Sequence, residues 1–184
     1  MSNSAVGVGY FPKRTQPQPD WLRVEHVREV CSVSECVSAG PNDWVAQWKH
    51  NALGFFDTEA AALDVVRDPV GLEMYAYRVY PLQFDSGLSR SWAVPIHVAL
   101  DLREYVFLGF DLVSRSISDY FECSALSCDS AAKEFVVNSH CLIDDYDAAW
   151  AACLAVSRGE YEPGPYYLFE VYRRRGDIFG LRTT

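Results

Sequence analysis

The stretches NALGFFDTEAAALDVV at residues 51–66 and NSHCLIDDYDAAWAAC at residues 138–153 are two versions of one pattern. An offset of 87 residues aligns Asn51 with Asn138, Asp57 with Asp144, and an Ala-Ala pair in each stretch. Ordinary residue usage gives roughly one identity in a window of this length, which is fewer than the stretches share. Each stretch predicts an apolar turn, a helix cap and a helix rich in small residues.

A second offset, of 92 residues, extends the similarity on both sides of these stretches. It aligns the segments CSVSEC (31–36) and CSALSC (123–128), and it aligns YAYRVY (75–80) with YLFEVY (167–172). We therefore predict a duplicated strand-turn-strand-helix-strand module over residues 21–80 and 104–175. The predicted fold is α+β, with a largely antiparallel sheet and both helices packed on one face. The alternative is chance similarity between two ordinary αβ units.

Three further segments complete the predicted organisation. Prolines and polar residues in residues 1–20 indicate a flexible N-terminal arm, residues 81–103 read as a connecting loop, and residues 176–184 read as a C-terminal tail. Within the modules, alternating patterns predict strands that include 21–30, 43–50 and 134–137. The two helices are expected over 58–67 and 144–156, with Asp57 or Thr58 capping the first.

Arg78 and Glu170 occupy equivalent positions in the two predicted modules. If the copies pack about a pseudo-twofold axis, the two final strands pair side by side and these opposite charges meet. We expect an exposed pair of this kind to contribute only about 0.2 to 1 kcal/mol.

Composition and charge restrict the class of protein. Apolar residues make up 49 % of the chain and charged residues 22 %, which is typical of a folded domain. A net charge of -9 argues against nucleic-acid binding, because release of counterions from phosphates needs a basic face. Since the sequence has no long apolar run and no signal-peptide pattern, we expect no membrane insertion and a cytoplasmic location, where the six cysteines stay reduced.

The paired C-x4-C segments raise the question of a metal site. Cys31, Cys36, Cys123 and Cys128 could converge at the pseudo-axis and bind zinc. The intervening residues include Val, Ala and Leu, and free cysteine is readily buried as a small apolar group. We therefore expect core thiols and no metal, with zinc at these four cysteines as the less favoured alternative.

The sequence offers no recognisable catalytic residues or cofactor motif. His140 and Cys141 are adjacent, and neighbouring residues of a strand point to opposite faces, so this pair cannot form a thiol–imidazole dyad on its own. The chain has no phosphate-binding loop, dinucleotide-binding fingerprint, nucleophile elbow or zinc-protease helix motif. We therefore predict no catalytic residue and no cofactor.

Five residues are the candidates for contact with a partner. Asp144, Asp145 and Asp147 cluster at the predicted start of the second helix, where capping and the helix dipole both favour carboxylates. They also form a local negative patch that suits a basic partner. Arg90 and Trp92 lie in the predicted connecting loop and are the other two candidates.

These observations predict a non-enzymatic, acidic protein that binds and masks a basic protein such as a toxin, in the manner of toxin immunity proteins and related inhibitors. The alternative is an enzyme or a small-molecule sensor. Its cleft would lie between the two modules and would use cysteine, histidine and carboxylate side chains.

Overall fold

The computed structural model describes residues 4–37, 40, 49–68, 70–115 and 121–176. These residues form a mixed α/β fold with a largely antiparallel sheet and short helices. The strands are β1 Val6–Arg14, β2 Gln16–Pro17, β3 Glu29–Val30, β4 Leu72–Asp85, β5 Leu88–Ser91, β6 Tyr105–Ser114 and β7 Tyr166–Arg174. The helices are α1 Glu59–Asp64 and α2 Tyr146–Val156, and a 3-10 turn spans Ala131–Lys133.

Strands β4 and β7 are the centre of the main sheet, which has the order β1-β4-β7-β6. All of these neighbours are antiparallel, and β5 turns back on the far end of β4. Strands β2 and β3 form a separate two-stranded ribbon. The central strands bury five large aromatic side chains almost completely, namely Tyr75, Tyr77, Phe84, Tyr166 and Phe169. Burial of side chains of this size stabilises a fold by about 1.5 to 3 kcal/mol each.

The pairing of β4 with β7 confirms the predicted contact between the two final strands. Arg78 lies directly opposite Glu170 in the ladder, and its Nη1 donates to Glu170 Oε2 at 2.9 Å. The Glu170 carboxylate also accepts hydrogen bonds from the hydroxyls of Tyr80 and Tyr172, each at 2.9 Å. Glu170 is only 8 % exposed, so the ion pair belongs to a partly buried network and not to an open surface.

Asn51 organises the turn that precedes α1. Its Nδ2 donates to the Val8 carbonyl of β1 at 2.9 Å and to Asp57 Oδ1 at 2.9 Å. Its Oδ1 accepts from the backbone N–H groups of Leu53 at 3.0 Å and Phe55 at 3.2 Å. One amide side chain therefore ties the turn to the edge strand and to the helix start.

Asn138 makes the same four kinds of hydrogen bond in the turn that precedes α2. Its Nδ2 donates to the Leu108 carbonyl of β6 at 2.7 Å and to Asp144 Oδ1 at 2.6 Å. Its Oδ1 accepts from the backbone N–H groups of His140 at 2.9 Å and Leu142 at 3.2 Å. The Asn and Asp shared by the two stretches therefore have the same local role, which is to close the turn against a strand.

The helix caps follow immediately after these turns. Thr58 caps α1 by accepting from Ala61 N at 3.1 Å, and Asp145 caps α2 by accepting from Ala148 N at 2.9 Å. The offset of 87 residues makes these caps equivalent. Of the two cap candidates for the first helix, Thr58 is the cap, because the carboxylate of Asp57 is bonded to Asn51.

A glycine with positive φ marks the docking point of each turn on its edge strand. Gly9 in β1 has φ of +140° and Gly109 in β6 has φ of +141°, and the ladder register shifts at both. A Cβ at Gly9 would lie 2.5 Å from the Phe56 carbonyl oxygen, and one at Gly109 would lie 2.9 Å from the Ile143 carbonyl oxygen. Only glycine allows the turn backbone to approach this closely.

The prediction of a flexible arm over residues 1–20 is wrong for β1, which forms one edge of the main sheet. Its Val8 and Tyr10 are buried, so this segment gains more from packing than it loses in chain entropy. Pro12 pairs opposite Met74 in the ladder, and proline is tolerated there because an edge strand has one side without ladder partners.

Other predicted elements also differ from the structure. The predicted connecting loop over 81–103 begins as a hairpin, because β4 continues to Asp85 and β5 pairs with it. The predicted strand over 21–30 is reduced to Glu29–Val30, and no strand is assigned over 134–137. A segment forms a strand only where a second strand lies close enough to pair with it. The alternating pattern of these segments does not show whether such a partner strand is present.

Two predicted segments fall mainly on residues that the structure does not describe. The predicted strand over 43–50 lies outside the described residues except for its last two positions. The predicted tail over 176–184 is described only at Gly176.

The helices cover different strands. Helix α1 buries Ala62 and contacts β1, whereas α2 contacts β6, β7 and β4. The residues that α2 buries are Ala149, Ala152, Cys153 and Val156. Packing of both helices on one face of the sheet stays a prediction.

We expect Ala149→Leu to lower the free energy of unfolding by about 1 to 3 kcal/mol, because Ala149 is fully buried and a larger side chain overpacks the core. The exposed neighbour Ala148 gives a matched control, and Ala148→Leu should change stability by less than about 0.5 kcal/mol. Urea unfolding followed by circular dichroism measures both. Equal midpoints for the two variants would contradict burial of Ala149.

We also expect Asn51→Ala and Asn138→Ala to cost about 1 to 3 kcal/mol each, because each leaves partly buried backbone groups without a partner. Asp144→Ala removes only one of the four bonds and should cost less. Chemical denaturation of the three variants measures these effects. A neutral result for either asparagine would show that its turn does not depend on the side chain.

Candidate functional site

The three carboxylates predicted to contact a partner lie at the start of α2, and all three are exposed. Asp144 accepts a hydrogen bond from Asn138, and Asp145 is the helix cap, so two of them also serve the local fold. Asp147 lies in the first turn of the helix. The structure therefore keeps a negative surface at this point, and it assigns capping to Asp145 and turn closure to Asp144.

An exposed aromatic side chain of strand β6 lies near the start of α2. Phe107 is 41 % exposed, whereas Val106, which is 40 % exposed, points to the opposite face of the sheet. The ring of Phe107 lies 5.2 Å from that of Phe110, which in turn lies 6.0 Å from that of Tyr146, between centroids. Tyr146 stands between Asp145 and Asp147 in the chain. An exposed ring and a group of carboxylates therefore share one side of the molecule.

We call this region the acidic–aromatic surface. It consists of Phe107, Asp144, Asp145 and Asp147. The sequence does not predict this exposed ring, because the segment EYVFLGFDLVSRS (104–116) is apolar on both alternating faces, a pattern typical of a central strand. The sheet order places β6 at the end of the sheet instead. Bridges from Phe110 to Ile143 and from Val113 to Ser124 cover its outer side, and Phe107 lies before the first of them and stays exposed.

Arg90 and Trp92, the other two predicted contact residues, lie elsewhere. Arg90 is exposed on β5 opposite Gln83 of β4. Trp92 is only half-exposed, because its ring packs against Tyr167 at 4.6 Å and the Arg115 guanidinium lies 5.8 Å from the ring centroid. Trp92 thus has a packing role, and no contact in the described part of the chain joins it to the acidic–aromatic surface.

The segments 31–36 and 123–128 meet, and they bring three of their four cysteines together. The sulfur atoms of Cys36, Cys123 and Cys128 all lie within 4.8 Å of one another, and Cys36 Sγ is 3.7 Å from Cys123 Sγ. Cys36 is exposed and the other two are half-buried. We call these three residues the thiol cluster.

Hydrogen bonds within the thiol cluster shift the pKa values of Cys36 and Cys128 in opposite directions. Hydrogen bonds from the Cys128 thiol and other neighbouring groups lower the pKa of Cys36, against the effect of partial burial. The bond to Cys36, together with burial, raises the pKa of Cys128. The first thiol to lose its proton is therefore Cys36, and its neighbours donate to it.

Cys31 does not belong to the thiol cluster, so the four cysteines do not converge as one group. It is 1 % exposed, and its sulfur accepts a hydrogen bond from the Tyr75 hydroxyl at 3.6 Å. Burial raises the pKa of its thiol to about 12. The expectation of a core thiol describes Cys31, and it is wrong for the exposed Cys36.

The carboxylate of Asp111 in β6 joins the two cysteine segments. Its Oδ2 accepts from Ser32 Oγ at 2.8 Å and from Val33 N at 2.8 Å, and its Oδ1 accepts from Ser124 Oγ at 2.6 Å. Asp111 is completely buried. This role of Asp111 is not among the predictions from the sequence. The serine after the first cysteine is the one further residue that CSVSEC and CSALSC share in register, and this shared donor is the signal from which a common acceptor could have been predicted.

Lys13 of β1 supplies a positive charge beneath the first segment. Its ammonium donates to the carbonyl oxygens of Ser32 at 2.8 Å, Val33 at 2.5 Å and Ser34 at 2.7 Å. Burial lowers the pKa of Lys13 to about 8, against the attraction of Glu35 and Asp111. The side chain is therefore still largely protonated at neutral pH. No pattern in the sequence predicts this role, because prolines and polar residues over 1–20 indicate a flexible arm.

His140 takes part in a different network. Its Nδ1 lies 2.7 Å from Glu29 Oε1, which also accepts from Arg173 Nη1 at 2.9 Å. Burial raises the pKa of Glu29, but the attraction and hydrogen bonds of Arg173 and His140 together outweigh burial, so the pKa of Glu29 lies below its ordinary value. Cys141 is buried, and burial raises its pKa to about 12. The described residues therefore give Cys141 no activation as a nucleophile.

Comparison of the chain with protein-family models, with curated proteins and with solved structures found no match in any of the three. Among the described residues, no helix combines the length and the apolar character that a membrane crossing requires.

We expect Asp111→Asn to lower the free energy of unfolding by about 3 kcal/mol or more. Both oxygens of the Asp111 carboxylate accept hydrogen bonds, from Ser32 on one side and from Ser124 on the other. In asparagine an NH2 group replaces one of these oxygens, and it would face a hydroxyl that also donates. Thermal and urea unfolding measure the loss, and Asp147→Asn is the exposed control that should be nearly neutral. A stable Asp111→Asn protein would show that the two cysteine segments do not depend on this carboxylate.

Proposed function

We propose that this protein binds a basic partner protein through the acidic–aromatic surface and masks it, in the manner of toxin immunity proteins and related inhibitors. The observation that carries the proposal is the position of the exposed ring of Phe107 on the same side of the molecule as three exposed carboxylates. Protein interfaces commonly combine an aromatic anchor with a polar rim.

The charge balance supports a basic partner. The chain has 25 acidic and 16 basic residues. Several of the basic side chains are held in ion pairs, including Arg78 with Glu170 and Arg173 with Glu29. Lys13 is buried against backbone carbonyls. Surplus carboxylates on the surface accelerate association with a positively charged protein, whereas the buried aromatic contact lengthens the life of the complex.

We also propose that the protein resides in the cytoplasm, which is a reducing compartment. The six cysteines are all free thiols, and exposed thiols such as Cys36 stay reduced most readily in such a compartment.

We also infer that the two halves are copies of one module. The inference is supported by the matching bonds of Asn51 and Asn138, by the matching positive-φ glycines, and by the position of Arg78 opposite Glu170. Both modules would then begin with their edge strand, so the first copy starts at β1 instead of residue 21. Under this inference, a pseudo-twofold axis through the Arg78–Glu170 pair would place α1 and α2 on one face of the sheet.

The second candidate is an enzyme or a small-molecule sensor with its site between the halves. One observation favours it, namely the thiol cluster, because Cys36 comes from one half whereas Cys123 and Cys128 come from the other. A screen with a thiol-reactive dye distinguishes the two candidates. One fast cysteine whose modification abolishes a measurable activity would favour the enzyme, and modification without functional effect would favour the binding protein.

The test of partner binding uses the full-length protein to select peptides from a random library displayed on phage. We expect selected peptides to carry Lys or Arg beside an apolar residue, and we expect their affinity to fall with added salt. Phe107→Ala and Asp147→Lys should each weaken binding by about tenfold, which corresponds to about 1.4 kcal/mol. Biolayer interferometry at two salt concentrations measures the affinities.

Matched controls lie at the other end of α2. Leu88→Ala truncates a different exposed apolar side chain, and Glu160→Lys makes the same charge change at a different exposed carboxylate. Both controls should bind the selected peptides as the unmodified protein does. Peptides without basic residues, or equal losses in the controls and the test variants, would contradict the proposal.

A further inference from the structure

We propose that the thiol cluster is a binding site for a soft divalent metal ion of the zinc class, with the sulfur atoms of Cys36, Cys123 and Cys128 as its three protein ligands. This inference is independent of partner binding. It also differs from the zinc site considered from the sequence, because Cys31 has no part in it.

The spacing of the sulfur atoms fits tetrahedral coordination. In a tetrahedral site with zinc–sulfur bonds of about 2.3 Å, two ligand sulfurs are about 3.8 Å apart. Cys36 Sγ and Cys123 Sγ are 3.7 Å apart, and all three sulfurs lie within 4.8 Å of one another. These sulfurs are not joined by a disulfide, because a disulfide needs a sulfur–sulfur distance of about 2.05 Å. Small rotations of the side chains are enough to bring all three sulfurs to bonding distance of one ion.

The ligands come from two segments that the fold holds in place before any ion binds. The buried carboxylate of Asp111 bonds Ser32 in one segment and Ser124 in the other. Within the second segment, the backbone N–H of Cys128 donates to the Ser124 carbonyl at 2.9 Å, which closes the turn between the two cysteines. The scaffold therefore reduces the conformational entropy that binding would otherwise cost.

The surroundings offset the negative charge of three thiolates. Lys13 contributes a buried ammonium beneath the segment that leads to Cys36. Three thiolates and one divalent ion carry a net charge of about −1, which this ammonium balances. Supporting groups around metal ligands commonly fix the ligands and adjust the charge of the site in this way.

The fourth coordination position faces groups that are weaker ligands. The Glu122 carbonyl oxygen lies 3.7 Å from Cys36 Sγ, and Ser34 Oγ lies 3.6 Å from Cys128 Sγ. Ser34 Oγ itself donates to that carbonyl at 2.6 Å. Because Cys36 is exposed, water or another small donor can complete the coordination from solvent.

A second group of possible ligands, formed by Glu29, Cys31 and His140, is less suited to a metal ion. Glu29 is already bonded to His140 and to the guanidinium of Arg173. A divalent ion there would lie next to a fixed positive charge and would have to deprotonate a fully buried thiol. The thiol cluster has an open approach and neither of these obstacles.

The experiment uses the full-length protein, kept reduced with a phosphine, freed of metal by a chelator and desalted. Titration with Co²⁺ should give one equivalent of binding, with the sulfur-to-metal charge-transfer absorption and strong visible bands of a tetrahedral thiolate site. Zn²⁺ should displace Co²⁺ and remove these bands. Absence of the charge-transfer absorption under these conditions would overturn the proposal.

Variants assign the ligands. Cys36→Ser, Cys123→Ser and Cys128→Ser should each weaken Co²⁺ binding by about tenfold or more and reduce the charge-transfer intensity. The matched control is Cys31→Ser. Cys31 is the residue of the first segment that aligns with Cys123, and its replacement should leave the bands unchanged. Circular dichroism confirms that each protein is folded. Retention of full absorption by Cys36→Ser, or its loss only in Cys31→Ser, would contradict the assigned ligands.

A second measurement does not depend on the variants. Thiol titration with a disulfide reagent should detect three accessible thiols in the metal-free protein, with Cys36 the fastest, because Cys31, Cys141 and Cys153 are buried. Addition of Zn²⁺ should slow these three thiols together. Protection of none of them would show that the ion binds elsewhere or does not bind.

Discussion

The antiparallel pairing of β4 with β7 is the constraint on which the other parts of the structure depend. Strand β1 pairs with the outer side of β4, and β6 pairs with the outer side of β7. The network at the centre of the pair is closed, because the Glu170 carboxylate accepts from Arg78, Tyr80 and Tyr172. A buried carboxylate with all of its partners fixes the register, since a slip of one residue would leave the charge unpaired. That register also decides where the two edge strands and their turns stand.

Two buried charges extend this arrangement to the cysteine segments. Asp111 and Lys13 lie on opposite edge strands, and each costs free energy to bury unless its hydrogen bonds are made. Both reach the segment that contains Ser32, one through the serine hydroxyl and the other through backbone carbonyls. The segments are therefore held by polar groups from strands that lie far apart in the chain. Their convergence positions the thiol cluster, although neither charge is a proposed metal ligand.

The carboxylates at the start of α2 serve the local fold, and in the proposed function they also contact the partner. Asp144 closes a turn and Asp145 caps the helix, and these roles leave both side chains exposed. The same exposure gives the negative part of the acidic–aromatic surface. Local structure thus accounts for Asp144 and Asp145. The ring of Phe107 packs against Phe110 and Tyr172 and still keeps much of its surface open. This ring lies on an edge strand and remains 41 % exposed to solvent.

The sequence by itself determined the local structure: the two helices, the two final strands β4 and β7, and the polar caps at the helix starts. These depend on residues a few positions apart, such as Asn138 and Asp144, so their spacing is visible in the chain. The repeat also predicted correctly that Arg78 and Glu170 would meet. Only the tertiary structure decided that β1 is a strand, that β6 is an edge, and that Cys36 joins Cys123 while Cys31 is buried. Each of these depends on which distant segments lie side by side, and that contact is set by the packing of the whole sheet and not by the local pattern.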